Sequence, residues 1–177
     1  PHRSNTPSDF AIMNADLSAK IPRETSHALN RFYEDRRLVC MGFGSGSNRI
    51  QMYLSGADTR MTHRHHDVMS LQLFAGRWDV FPDLGYLWDH PGKQWATSTP
   101  SHQTVTIDEM NSLGAEPSKL LGYVDQGRSR FVDIETKLHG GITLRRAVTL
   151  LRKSDGLPIL IDIFDVEGGE THDYHMR

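Results

Sequence analysis

The stretch ITLRRAVTLLRKSDGLPILIDIFDVEGG (142–169) decides the fold class. It holds two runs dominated by Ile, Leu, Val and Thr, 142–152 and 158–167, joined through Asp155-Gly156 and closed by Gly168-Gly169. Branched side chains suit a pleated sheet, and Asp-Gly between two such runs marks a turn. Toward the N-terminus, RFVDIET (130–136) and LLGYVDQ (120–126) flank Gly127, and Gly140-Gly141 precedes the next run. HQTVTID (102–108) sets Val105 and Ile107 against Thr104 and Thr106, a period of two. LQLFAG (71–76) and RWDVFPD (77–83) read as a hairpin turning at Ala75-Gly76, and NRIQMYLS (48–55), RLVCMGF (37–43) and DFAIMN (9–14) continue the series. Strands at intervals of roughly 10–15 residues with Gly-rich turns predict an all-β chain, an antiparallel β-sandwich with at most a short helix. That helix is expected within PRETSHALNRFYEDR (22–36), where Pro22 suits a first helical position and Ala28, Leu29, Phe32 and Tyr33 share one side. Arg145-Arg146 interrupts the run 142–152, so one of the two must lie on its apolar face. A buried ion pair, a bulge or a subunit contact would accommodate it.

With 177 residues the chain can build a sizeable core, and its 37% hydrophobic and 24% charged residues are ordinary for a globular protein. A formal net charge of −2 lacks the basic footprint of a nucleic-acid binder. No apolar run approaches the roughly 20 residues of a membrane helix. The single Cys40 excludes an intrachain disulfide framework and reads as a buried apolar residue. Residues 1–10 are polar with no apolar stretch of signal-peptide type, and the missing initiator Met and the end at HDYHMR suggest a processed chain or a fragment of something longer.

Ten histidines are many for this length, and three fall within four residues: His63, His65 and His66. In extended chain, His63, His65 and Asp67 share a face. Two imidazoles and a carboxylate at one strand edge suit a borderline metal such as zinc, or a substrate site. A solvated His-rich loop is the alternative reading of these residues alone.

The features that follow are Ser70, Gly76, Asp83-x-Gly85-Tyr86, Trp95, Ser98-Thr99, and His102-Gln103-Thr104-Val105 with Ile107-Asp108. In this order, over about residues 37–167, the chain resembles the C-terminal sandwich of the heparinase II/III family of polysaccharide lyases. Two departures are Gln103, where Asn is usual, and a bulky Arg64-x-His66. The resemblance implies that His65, Asp83 and His102 bind a zinc ion with a mainly structural role. It implies that His63 sits in the substrate cleft as a catalytic residue, and that Asp67 fixes the loop or orients a liganding imidazole. It further implies β-elimination at a uronate within an acidic polysaccharide, and a periplasmic or secreted location. The acid/base Tyr and an Asn-His pair would come from an N-terminal α-helical toroid that nothing in this chain resembles. The expectation is therefore one sandwich domain over 1–177, a part of a longer protein and inactive alone.

Arg64, Tyr86 and Trp88 are candidate contacts to the sugar, with Lys93 a further cation that also reads as plain surface charge. Trp78 is expected in the core, Trp95 beneath the His102 segment, and His172 and His175 in a solvated terminus. Two other functions fit parts of the pattern. One is a non-catalytic carbohydrate-binding or accessory sandwich that keeps the metal for stability. The other is a cupin-like metal oxygenase, because two histidines and a carboxylate also hold redox iron.

Overall fold

The computed structural model describes residues 27–56, 65–85 and 87–176. The expected strand at 9–14 lies outside them, as do residues 22–26 of the expected helix. Five strands form an antiparallel meander: β1 (Arg31–Tyr33), β2 (Leu38–Phe43), β3 (Ile50–Ser55), β4 (Leu71–Ala75) and β5 (Trp78–Phe81). A second antiparallel sheet takes β7 (Lys119–Gln126), β8 (Ser129–Lys137), β9 (Thr143–Arg152) and β10 (Pro158–Glu167) in sequential order. Between them in sequence, β6 (Val105–Ile107) pairs with the terminal strand β11 (His172–Tyr174).

Alternation along the strands turns one row of each large sheet inward. Val39, Met41, Met52 and Leu54 from the first sheet share one buried cluster with Val132, Ile134, Leu144 and Val148 from the second. Val105 and Ile107 of β6 join the same cluster. The architecture is an antiparallel β-sandwich, as the sequence predicts. Helix is limited to short pieces among the described residues, such as α1 (Lys93–Ala96), and none is long and apolar enough to cross a membrane.

Several expectations are corrected. Residues 27–36 are not helical: His27 bridges Ser45, 31–33 is β1, and 34–36 is a 3-10 turn. The backbone groups a helix would need are spent elsewhere. The Gln51 carboxamide accepts the Leu29 N–H at 2.6 Å and donates to the Leu29 carbonyl at 3.0 Å, and Asn30 Oδ1 accepts the Gly42 N–H at 2.7 Å. Gly42 permits this approach, since a Cβ there would lie 2.1 Å from the Ile50 carbonyl and 2.9 Å from Ala28 Cβ. Trp78 is not core but 66% exposed, because β5 is the edge of its sheet. In β6 the alternation does not separate a wet face from a dry one, and Thr104 and Thr106 are buried with Val105 and Ile107. The expected solvated terminus holds for His172, exposed on β11, whereas His175 is half-buried with Nε2 3.0 Å from Thr106 Oγ1.

The arginine pair resolves as a buried ion pair. Arg145 faces out and binds Asp133 with both prongs, at 3.0 and 2.6 Å. Arg146 is fully buried and grips Asp162 of β10 at 2.9 and 2.6 Å. Its remaining donors reach the carbonyls of Met69 and Gln103. Those two carbonyls belong to the segments that carry His65 and His102.

Candidate metal centre

His65 stands on the loop before β4. That loop is tied down on both sides: the His66 N–H donates to the Thr97 carbonyl at 2.9 Å, and Thr99 Oγ1 donates to the His66 carbonyl at 2.7 Å. Thr104 Oγ1 holds the Val68 carbonyl at 2.6 Å. Asp83 follows β5, whose register shifts against β4 at Leu73/Phe74. Such a bulge re-aims the chain as it leaves the sheet. Asp83 Oδ1 accepts the Gly85 N–H at 2.6 Å, and Gly85 has φ of 70°, which explains the Asp-x-Gly spacing. His102 ends the 3-10 turn Thr99–Ser101 and is 1% exposed. Gln103 Nε2 reaches the Pro82 carbonyl at 3.4 Å, bracing the segment that presents Asp83.

These elements bring three of the expected residues together. His65 Nδ1 lies 3.0 Å from His102 Nε2, His102 Nε2 lies 3.3 Å from one Asp83 oxygen, and His65 Nδ1 lies 3.8 Å from the other. Metal–ligand bonds of about 2.0–2.1 Å in a tetrahedron separate ligand atoms by about 3.4 Å, so the three distances bracket a zinc-sized ion. The tautomer of His102 fits as well. Its Nδ1 is 2.8 Å from the Ser98 carbonyl, which can only accept, so Nδ1 carries the proton and Nε2 offers its lone pair to the centre. Ser101 Oγ, at 3.1 Å from the same Nδ1, completes its surroundings. Two histidine nitrogens and a carboxylate oxygen form a donor set for a borderline divalent metal.

Electrostatics at the site follow from proximity. Burial pushes the Asp83 carboxyl up, but His102 and the Gly85 N–H outweigh it and hold it below the usual carboxylate range. Burial pushes His102 down, and Asp83, Asp67 and the Ser98 carbonyl outweigh it and raise it. Asp67 is raised by burial, opposed by the neighbouring His102 and His65. The outer N–H of His102 goes to the Ser98 carbonyl and not to Asp67, whose own carbonyl accepts the Ser70 N–H at 2.9 Å.

Other expected site residues fall differently. His63, Arg64 and Tyr86 lie outside the described residues. Trp88 is exposed on the loop after Asp83, with Lys93 Nζ 5.6 Å from its ring centre. The Trp95 side chain is 45% exposed, and the buried residue of that turn is Ala96, whose carbonyl accepts from Ser101 Oγ. Ser98, Ser101 and Arg146 support the centre without having been singled out for it. Ser98 acts through its backbone, which no side-chain pattern reveals. An Arg pair inside an apolar strand was the one signal for Arg146.

Residues 42–176 match the family described as heparinase II/III-like, C-terminal. An alginate lyase from Stenotrophomonas maltophilia (strain K279a) is 26% identical over 93 residues, covering 48% of this chain and 12% of that protein. Among solved structures, a heparinase III superposes with a TM-score of 0.65 at 17% identity over 81% of this chain and 22% of that one. A heparan sulfate lyase from Pedobacter heparinus gives 0.59 at 15% identity over 71% and 20%. The present chain thus spans a small part of each relative, and at these identities the structural likeness concerns the fold. With a family match across most of its length and the sandwich to go with it, the chain belongs to the heparinase II/III-like C-terminal family.

Proposed function

We propose that this chain is the metal-binding sandwich of a polysaccharide lyase that cleaves uronate-containing acidic polysaccharides by β-elimination. The observation that carries the reading is the convergence of His65, Asp83 and His102 on one point. Zinc bound there would cross-link the His65 loop, the post-β5 segment and the His102 turn. The sandwich would form one wall of a cleft whose other wall is an N-terminal α-helical toroid in a longer periplasmic or secreted protein. In the reaction a base takes the C5 proton, the C4–O bond breaks, the departing oxygen gains a proton, and a C4=C5 double bond remains. The C5 proton is weakly acidic beside a carboxylate, so cationic or donating groups that neutralise that carboxylate lower the barrier. His63 would serve there as the catalytic residue of this chain, with Arg64, Tyr86 and Trp88 contacting the sugar. Asp67 would hold the loop between them and His65.

Elemental analysis of purified wild type, His65→Ala and Asp83→Ala tests the centre. One zinc per wild-type chain and loss from both variants is expected; full occupancy in both variants refutes the ligand assignment. The 177-residue chain by itself should give no unsaturated-product absorbance on polyuronate, since the acid/base groups lie elsewhere; steady growth of that absorbance would refute the division of labour.

A further inference from the structure

At the other end of the first sheet from the metal centre, three hairpin turns meet around an open groove of about 840 Å³. β4 runs between the two places: the His65 loop enters it, and the Gly76-Arg77 turn leaves it, about 16 Å away at ~3.3 Å per residue. Each turn contributes one arginine. Arg49 comes from the β2–β3 turn, Arg77 from the β4–β5 turn, and Arg152 from the end of β9 where it turns toward β10. None of the three guanidinium groups is in an ion pair among the described residues. Among the described residues the one carboxylate lining the groove, Asp155, is already engaged by Lys153 Nζ at 2.8 Å and by the Leu157 N–H at 3.0 Å. The Trp78 ring lies on the groove, 66% exposed, with the Arg77 guanidinium carbon 5.2 Å from its centre. Two of the turns are locked to each other: the Gly76 N–H donates to the Arg49 carbonyl at 2.7 Å, and a Cβ on Gly76 would sit 2.6 Å from the Ser47 carbonyl; the third is closed by its own bond from the Lys153 N–H to the Leu157 carbonyl at 2.9 Å.

We infer that this groove is a second binding site, for an anionic oligosaccharide carrying carboxylate or sulfate groups. Guanidinium forks match carboxylates and sulfates in planar, two-pronged geometry, and an exposed indole stacks on the apolar face of a sugar ring. Three arginines without an ion pair among the described residues, on a chain of net charge −2, concentrate positive potential at one place. Turns already fixed by their own backbone bonds need no ordering to bind. The saccharide class rests on the polysaccharide reading proposed above; the groove itself does not involve the metal. It would hold a neighbouring stretch of a long polymer, as an accessory to the His65 end.

Calorimetric titration of the purified chain tests this with two probes, an alginate oligosaccharide (carboxylate only) and a heparan sulfate oligosaccharide (sulfate as well). A single-stranded DNA oligomer of equal charge serves as control. Binding of at least one saccharide is expected, weakening about tenfold or more in Arg77→Ala/Arg152→Ala and severalfold in Trp78→Ala, and falling steeply with salt. Lys119→Ala, an exposed change at the start of β7 away from both places, should leave it unchanged. All substituted groove residues are surface side chains, and the melting temperature of each variant checks its fold. No binding of either saccharide at millimolar concentration overturns the inference. So does binding that survives the arginine and tryptophan changes, or equal affinity for the DNA. Binding lost in Asp83→Ala alone would place the sugar at the metal end, overturning the groove while leaving the lyase reading intact.

Discussion

Ser98 gives the centre only a carbonyl oxygen, yet that oxygen decides which nitrogen His102 turns toward Asp83. The consequence is a measurable pH dependence in the metal-free chain. His102 is raised by Asp83, so the charge pair stabilises the fold fully below the ordinary histidine value of about 6.5 and fades as pH climbs through the raised value. Asp83 is held low, so its contribution is complete above about 3.9 and fades as pH falls through the lowered value. The pair therefore helps most between about pH 4 and 6.5. Asp83→Asn in chelator-treated protein should lower the melting temperature more near pH 5.5 than near pH 9; an equal loss at both would show that Asp83 does not charge His102. Zinc needs the neutral imidazole, so its affinity should rise with pH through the same titration. The three residues that converge were legible at this scale through the ordered succession from His65 to His102, each a polar group in a spaced motif. Trp78 was misread because a strand pattern does not say whether the strand is an edge.

At the scale of elements, strands with glycine punctuation were read correctly because alternation and turn chemistry are local. The segment 27–36 was misread because its conformation is set at a distance, by the Gln51 carboxamide standing in for a strand partner. Likewise β6 is dry on both faces because β11 covers its edge and Arg146 reaches the carbonyl before it. Arg146 is the joint of the structure: from β9 it binds β10 through Asp162, the His65 loop through Met69 and the β6 segment through Gln103. Tyr174 of β11 donates to Asp162 and has its hydroxyl pushed up to about 12 by burial and that carboxylate, so it stays a donor. Arg146→Met would take the cation from the largely buried Asp162, leaving it the Tyr174 hydroxyl, and would remove a donor from the Met69 and Gln103 carbonyls. Removing one partner of a buried pair costs about 3–5 kcal/mol, a large share of a typical domain's stability. Urea unfolding should show that loss, and Arg146→Met/Asp162→Leu should recover part of it, because the second change removes the orphaned charge. A double variant no more stable than the single one would mean the carbonyl contacts, and not the ion pair, carry the cost.

Across the whole molecule, the three candidate ligands come from three separate places in the chain, before β4, after β5 and before β6, none of them inside a strand. The sheets would persist without a metal, whereas the relative position of these segments rests on a few hydrogen bonds and on Arg146. An ion bound only by the folded chain adds stability by mass action, about 2.7 kcal/mol when its free concentration is 100 times its dissociation constant. For a chain of this size each kcal/mol moves the melting temperature by about 2–4 °C, so removing zinc should lower it by roughly 5–11 °C. Calorimetry with and without chelator, and after zinc is restored, measures this. Hydrogen exchange should localise the loosening to the segments around His65, Asp83 and His102, leaving β7–β10 protected, because those strands contribute no ligand. A chelator shift that also exposed β7–β10 would mean that the centre is part of the folding core and not a clasp on the rim of a finished sandwich.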